Sequence, residues 1–219
     1  MRNPPHRHQL LVEGREDKRV IPQLMEKFIP WGEKGEPEKW PVDIIECGGV
    51  EPLLKDGVIQ AALKSSGLEA LGILVDANSD PIGRWNIIRE RALSIMPSIR
   101  PDLPATGLVM QNDEGLRFGV WLMPNCSSVG MLETFLALFI DEPTDGLWSL
   151  VESHCELAKE KHQAPFKAAH KDKAHIHSWL ALQDPPGEQL HDALIQNILK
   201  PDSPQCDPFV NWFRELYQV

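Results

Sequence analysis

Residues 10–17 of this chain are LLVEGRED, an apolar segment that runs into a charged one. Its apolar, β-favouring residues run directly into Glu13 and Gly14, and Gly14 supplies the permissive backbone that an abrupt stop requires. A charged helix start follows at Arg15. The pattern therefore predicts a strand, a tight turn and a helix, and it leaves Glu13 at the carboxyl end of the strand, where open α/β sheets place their ligands.

Asp17 follows Glu13 by four residues. If the helix begins near Arg15 or Glu16, the Asp17 carboxylate lies in its first turn and faces back toward the strand end, so that two acids converge on one spot. The alternative is that Glu16 and Asp17 only complement the helix dipole and that Glu13 is a solvated turn residue. Residues 10–17 alone leave both interpretations open.

Strands and helices alternate through the first 96 residues. Residues 70–75, ALGILV, are nearly all apolar, as is typical of a central strand covered on both faces. Alternation of this kind predicts a parallel sheet with right-handed crossovers. The predicted strands are 10–12, 42–46 and 70–75, and the predicted helices are 16–28, 51–65 and 85–96.

The pattern changes after Pro104. Residues 106–110 and 116–123 flank QNDEG, which predicts a hairpin. Residues 131–140 form a short apolar helix in which Glu133 is the only charge, so that Glu133 either faces solvent or points into a site. Four further helices are predicted at 147–162, 171–182, 188–199 and 207–217. The expected fold is α/β, a mostly parallel Rossmann-like sheet flanked by helices (1–142), with a C-terminal helical annex packed on it (143–219).

The composition is that of an ordinary globular domain. The 219 residues carry a formal net charge of −10, which argues against a protein that coats nucleic acid through a broad basic surface. A local basic groove or an acidic metal site remains compatible with that charge.

No apolar run approaches the roughly 20 residues of a membrane span, and the first residues lack the apolar core of a signal peptide. A cytoplasmic protein is expected, with reduced thiols at its widely spaced cysteines, Cys47, Cys126, Cys155 and Cys206.

Acidic and amide side chains cluster at the predicted strand ends. Asp76, Asn78 and Asp80 follow the buried third strand at alternate positions. Mg²⁺ and Mn²⁺ prefer such oxygen ligands and serve phosphoryl transfer. The run resembles an EF-hand opening, but Pro81 and Ile87 stand where that loop needs Gly and Glu. A turn that caps the next helix is the remaining alternative. The candidate metal ligands are Glu13, Asp17, Asp76, Asn78, Asp80 and Glu133.

Other chemistries find less support in the sequence. His175 and His177 are two apart on a predicted helix and point away from each other, which disfavours a shared metal. Cys47 has no local base and is interpreted as a small buried hydrophobe. The motifs G-x-S-x-G, G-x-x-x-x-G-K-[ST] and G-x-G-x-x-G do not occur. Hydrolase-elbow, P-loop and dinucleotide-binding interpretations therefore lose their main support.

The motifs together resemble the Toprim domain, the metal-binding α/β module of topoisomerases, bacterial primases and several nucleases. The resemblance rests on VEG at 12–14, GG at 48–49 and VDAN at 75–78, and it covers about residues 8–140. The form V-E-G-x-x-D is closest to the Overcoming-lysogenization-defect nucleases. GMLE at 130–133 and KDK at 171–173 resemble the DUF3226 group of bacterial Toprim-like proteins.

That resemblance implies roles for particular residues. Glu13 would be a metal ligand or general acid/base, and Asp17, Asp76 and Glu133 would hold Mg²⁺ or Mn²⁺. Lys171 or Lys173 would stabilise phosphate charge in the transition state, as a lysine does in the related nucleases. The chain departs from the family pattern at Asn78, where the family has a second Asp, and Asp80 is a candidate to compensate for the missing charge.

The resemblance favours one reaction among several. A topoisomerase needs a tyrosine nucleophile, and the only tyrosine is Tyr217, two residues from the end; a primase normally brings a zinc module, and none is visible. The leading hypothesis is a nuclease that cleaves DNA or RNA, working with a partner ATPase in phage defence. The alternatives are a non-catalytic binding or regulatory module with an eroded site, and a phosphotransferase or phosphatase acting on small nucleotides. Exposed Trp31 and Trp40, in and directly after the polar loop 30–39, would mark a contact surface, for example in a homo-oligomer.

Overall fold

A computed structural model describes residues 6–32, 39–140, 146–202 and 204–219. The strands are β1 (His8–Val12), β2 (Asp43–Glu46), β3 (Ala70–Asp76), β4 (Leu108–Gln111) and β5 (Arg117–Met123). They form one sheet in the order β2-β1-β3-β5-β4. Parallel pairing joins β2, β1, β3 and β5, and β4 pairs antiparallel with β5. The predictions of a mostly parallel sheet and of the hairpin are confirmed.

The first five helices lie in or near the segments predicted to be helical, but their ends differ from the predicted ones. They are α1 (Arg15–Met25), α2 (Val50–Leu53), α3 (Val58–Leu63), α4 (Pro81–Ala92) and α5 (Leu132–Ala137). The prediction of one helix over 51–65 was wrong, because Gly57 adopts a left-handed φ of 87° and starts a second helix. The helix predicted at 85–96 begins four residues earlier, where Asp80 caps it and Pro81 fits its first turn.

The C-terminal part is helical, as predicted. It comprises α6 (Gly146–His162), a 3₁₀ turn (Ala168–His170), α7 (Lys171–Leu180), α8 (Leu190–Ile195) and α9 (Asp207–Tyr217). The proposed domain boundary at 142/143 lies within 141–145, outside the described residues. No helix in the described ranges is long and apolar enough to cross a membrane.

Two hydrophobic clusters sandwich the sheet, because successive strand residues point to opposite faces. In β1, Leu10 and Val12 join the cluster beneath α1, α5 and the C-terminal helices, whereas Leu11 joins the cluster beneath α2, α3 and α4. The helical annex therefore completes one layer of the fold. Because helices cover both faces of the sheet, polar side chains that could form a site are left at the ends of the strands.

Helix α9 packs closely on the middle of the sheet. A Cβ at Gly72 of β3 would lie 2.3 Å from the Tyr217 hydroxyl oxygen, and one at the neighbouring Gly119 of β5 would lie 2.5 Å from Leu216 Cδ2. The Tyr217 hydroxyl donates to the Gln9 carbonyl at 2.9 Å, and the Trp212 indole donates to the Leu108 carbonyl at 2.9 Å. Glycine at both sheet positions is what allows this approach.

The expectation of exposed tryptophans in the loop 30–39 was wrong for Trp31. Its side chain is buried, and its ring packs against Phe213 of α9 and against Trp40, with centroids 5.8 Å and 6.0 Å away. Trp40 is partly buried against the same cluster. Residues 33–38 of that loop lie outside the described residues. Trp31 therefore belongs to the hydrophobic core, and its part in the expected contact surface loses its support.

Candidate metal centre

The predicted acids meet at the point where the chain reverses its direction of travel across the sheet. From β1 the chain adds β2 on one side and then β3 on the other, which makes the carboxyl ends of β1 and β3 the switch point of the sheet. Glu13 follows β1, and its Oε1 accepts a hydrogen bond from the Asp76 backbone N–H at 2.9 Å. The prediction that the two strand ends lie side by side is confirmed.

The Gly-Gly pair after β2 supports the position of Glu13. The Gly49 N–H donates to the Glu13 carbonyl at 2.7 Å, and the Cys47 N–H donates to the Val12 carbonyl at 3.0 Å. Gly48 and Gly49 have φ values of 78° and 123°, which residues with a side chain rarely adopt. The turn after β2 therefore holds the Glu13 backbone on the side that faces β2, opposite to the side that faces β3.

Asp17 turns back toward the strand end, as its position in the first turn of α1 predicts. Its Oδ2 accepts from the Gly14 N–H at 3.0 Å, which satisfies a donor that the helix leaves unpaired. The side chain is buried, with 8% of its residue surface exposed. A carboxylate that served only the helix dipole would lie in solvent, so its burial favours a role in the cluster.

Asp76 is held by the loop that leads into α5. Its Oδ1 accepts from the Leu132 N–H at 2.9 Å. The neighbouring Asn78 has a left-handed φ of 51°, and its backbone pairs in both directions with that of Gly130, at 2.7 Å and 2.9 Å. This bridge brings the start of α5, and with it Glu133, to the end of β3.

Glu133 points into the site. It is 2% exposed, and its Oε1 lies 3.1 Å from the Lys173 ammonium of α7. The Thr134 hydroxyl, which accepts from the Met131 N–H at 2.9 Å, also donates to the Asp172 carboxylate. Because α5 and α7 are joined at two adjacent positions, the ion pair between Glu133 and Lys173 has a fixed geometry.

Burial, and then neighbouring negative charge, raises the pKa of Glu13, Asp17 and Asp76. Burial, then the nearby charge of Glu13 and Glu133, raises the pKa of Asp17 to about 7. Burial, then the charges of Glu13, Asp17 and Glu133, raises the pKa of Asp76 to about 8. Burial also raises the pKa of Glu13, against the opposing effects of the Asp76 amide, Arg84 and Lys173. Four carboxyl groups therefore share a small region that is short of positive charge.

The donor set fits a hard divalent cation. One oxygen each of Glu13, Asp17 and Asp76 accepts a backbone N–H, and these bonds leave the second oxygen of each carboxylate for another partner. Carboxylates are the ligands that Mg²⁺ and Mn²⁺ prefer. In the described ranges, no three His, Cys, Asp or Glu side chains are already arranged around a common ion position.

Three predicted site residues have other partners. Asp80 caps α4, and its Oδ1 accepts from the Gly83 N–H at 2.8 Å, which is the alternative that its sequence left open. Lys171 pairs with Glu156 on α6 at 2.7 Å, in an exposed position. The geometry therefore favours Lys173 over Lys171 as the lysine of the site. Asn78 contributes its backbone bridge to Gly130.

Sequence reasoning missed Arg84, whose positive charge acts on Glu13. Arg84 lies in the first turns of α4, directly after the loop that follows Asp76. Its Nε is buried and has no hydrogen-bond partner in the described part of the chain. A basic residue soon after an acidic strand end is the feature that would have suggested it. With Lys173, it supplies positive charge at the edge of the acid cluster.

The remaining candidates for chemistry are structural. Tyr217 is fully buried, and that burial raises the pKa of its hydroxyl well above the ordinary value. His175 is buried while His177 is exposed, so the two point apart as predicted. All four cysteines are free, as predicted, and burial raises the pKa of the half-buried Cys47 thiol, which disfavours a nucleophilic role.

Lys173→Met is expected to destabilise the metal-free protein by about 1–3 kcal/mol, because the buried Glu133 would lose its charged partner. Lys171→Met is the matched control, two residues away on the same helix, and it should leave stability unchanged because its pair with Glu156 is exposed. Urea unfolding of both variants measures the difference. Equal stability of the two variants would contradict the described role of Lys173.

Comparison with protein families matches residues 7–218 to the family described as "Protein of unknown function (DUF3226)". The match spans nearly the whole chain. The chain belongs to the DUF3226 family. In this DUF3226 protein the match includes Glu13, Asp17, Asp76 and Glu133, and it continues through the C-terminal helices. Comparison with curated proteins and with solved structures yields no match.

Proposed function

We propose that this DUF3226 protein is a divalent-metal-dependent nuclease of the Toprim type that cleaves phosphodiester bonds in DNA or RNA in the cytoplasm. The observation that supports this proposal is the convergence of Glu13, Asp17, Asp76 and Glu133 at the switch point of the sheet. Such a density of buried carboxylates is unfavourable unless a cation is present, and metal-assisted phosphoryl transfer uses this kind of site.

Each side chain has a role in the proposal. Glu13, Asp17, Asp76 and Glu133 would hold Mg²⁺ or Mn²⁺, and Glu13 is also the candidate general acid/base. A bound divalent cation supplies an activated water at neutral pH and stabilises charge on the leaving oxygen. Lys173 and Arg84 lie beside the acids and would neutralise a phosphate that approaches them.

The fixed hydrogen bonds of the acids support catalysis rather than mere ion storage. Glu13, Asp17 and Asp76 are each oriented by a backbone N–H from a different segment. Side chains held in this way need no reorganisation when a reaction begins, which is the condition for electrostatic catalysis. A partner ATPase and a role in phage defence are further parts of the proposal, and they rest on the resemblance to Overcoming-lysogenization-defect nucleases.

The direct test is cleavage of plasmid DNA, single-stranded DNA and structured RNA by the purified protein. We expect cleavage of at least one substrate with Mn²⁺ or Mg²⁺ and none with EDTA. The proposal would fail if every substrate stayed intact in either metal, with and without candidate ATPase partners.

One observation favours the alternative of a non-catalytic binding or regulatory module. Asp80 caps α4. It therefore does not replace the negative charge that this chain lacks at Asn78, where the Toprim pattern has a second Asp. A site with one fewer carboxylate would bind a cation more weakly. Binding of Mn²⁺ that is lost in Glu13→Ala would count against this alternative.

A further inference from the structure

A groove of about 420 Å³ lies on the exposed side of α1, beside the acid cluster. It begins at the same edge of the sheet, because Glu46 in its wall pairs in register with Val12, the residue before Glu13. From there it follows α1 for about 12 Å, the rise of eight helical residues. Its lining includes Arg15, Lys18, Arg19, Gln23, Trp40 and Glu46.

The groove has the opposite charge to the rest of the chain. Arg15, Lys18 and Arg19 are exposed on one face of α1, while Asp17 and Val20 of the same turns are buried. Glu46 is the acid in the lining, and its contact with Arg15 is loose, at 3.9 Å, with 80% of the Arg15 side chain exposed. In a chain with a net charge of −10, three cations along one groove form a local site for anions.

Polar and aromatic groups complete the lining. Gln23 Oε1 and His191 Nδ1 are buried atoms with no hydrogen-bond partner in the described ranges. The half-buried Trp40 is the aromatic residue of the same lining. Cations that follow a phosphate backbone, together with an aromatic ring on which a base can stack, are typical of sites for single-stranded nucleic acid.

We infer that this groove binds a single strand of nucleic acid and guides it to the acid cluster. The phosphates lie along Arg15, Lys18 and Arg19, and a base stacks on Trp40. At about 3.4 Å per nucleotide of a stacked strand, the groove accommodates roughly three to four nucleotides. This inference rests on the proposed function and narrows its substrate class to single-stranded segments.

The test is binding of a fluorescently labelled 12-nucleotide single strand, measured by anisotropy in EDTA so that no cleavage occurs. Arg15→Gln combined with Arg19→Gln is expected to weaken binding at least tenfold. It should also lower the slope of log K against log salt by about 1.4, since each phosphate contact on a single strand contributes about 0.7. Trp40→Ala should weaken binding, and Trp40→Phe should restore most of it.

Lys55→Gln combined with Lys64→Gln is the control, because it removes the same charge from exposed positions elsewhere. It should bind like the wild type. Equal binding by the Arg15/Arg19 variant and the control would overturn the inference, as would no binding by the wild type. Preference for a duplex, or binding of a mononucleotide as tight as that of the 12-mer, would overturn it too.

These outcomes separate the inference from the proposed function. If the wild-type protein binds the strand but cleaves nothing in Mn²⁺, the proposed nuclease activity is contradicted and the groove as a binding site is not. If the wild type and the Arg15/Arg19 variant cleave with the same KM, the groove as a binding site is contradicted and the nuclease activity is not.

Discussion

Replacing Glu13 by glutamine is expected to lower the rate of metal-dependent cleavage about 10²–10⁴-fold while leaving the fold intact. Glutamine retains a side-chain oxygen that accepts the Asp76 N–H, so the bond that joins the two strand ends is preserved. What is lost is the negative charge and the capacity to move a proton. Initial rates on the best substrate of the cleavage test, with thermal unfolding of both proteins, measure the effect.

Glu26→Gln is the control for this substitution. Glu26 is an exposed carboxylate at the far end of the same helix, α1. It should retain the wild-type rate. If Glu13→Gln retained that rate as well, with the fold of both variants intact, Glu13 would not be part of the catalytic site.

The metal-free protein is expected to gain at least about 2 kcal/mol of unfolding free energy when the pH falls from 8 to 5.5. The pKa values of Asp17 and Asp76 are raised to about 7 and about 8 in the folded chain, against about 4 when unfolded. Over this interval the folded state therefore binds more protons than the unfolded state, and stability falls as the pH rises. Urea unfolding in EDTA at the two pH values measures the change.

Asp17→Asn and Asp76→Asn should each remove part of this pH dependence, because asparagine keeps an oxygen for the backbone N–H and carries no charge. Asp80→Asn, at the exposed cap of α4, should leave it unchanged. His8, whose pKa is lowered by burial, acts in the opposite direction below about pH 6.5, and its effect cancels in the comparison of variants. If the wild type and all variants showed the same pH dependence of stability, Asp17 and Asp76 would not be the groups whose raised pKa causes it.

The sequence predicts the centre of the fold well because its determinants are local. Gly14 ends β1, the apolar run at 70–75 requires cover on both faces, and the acids follow strands whose adjacency the α/β alternation implies. Asp80 shows the limit of such reasoning. A ligand and a helix cap need the same residue type after a strand, and only the fold decides between them.

Contacts between distant segments were beyond the sequence pattern. The sequence does not distinguish Lys171 from Lys173 as the lysine of the site. Because residues two apart on a helix point about 200° away from each other, Lys171 pairs with Glu156 and Lys173 pairs with Glu133. Trp31 is surrounded by polar residues in sequence, but it packs on Phe213, far along the chain. Arg84 acts at the site because α4 starts at the loop after Asp76, which periodicity alone placed four residues too late.

Titration of the intact protein with Mn²⁺ shows whether Glu13, Asp17, Asp76 and Glu133 share a divalent cation, as we propose. At pH 7.5, calorimetry should show Mn²⁺ bound to the wild type, with affinity reduced at least tenfold in Asp76→Asn and Asp17→Asn and unchanged in Asp80→Asn. Absence of binding to the wild type, or equal affinity in all four proteins, would show that these four carboxylates do not form a metal site.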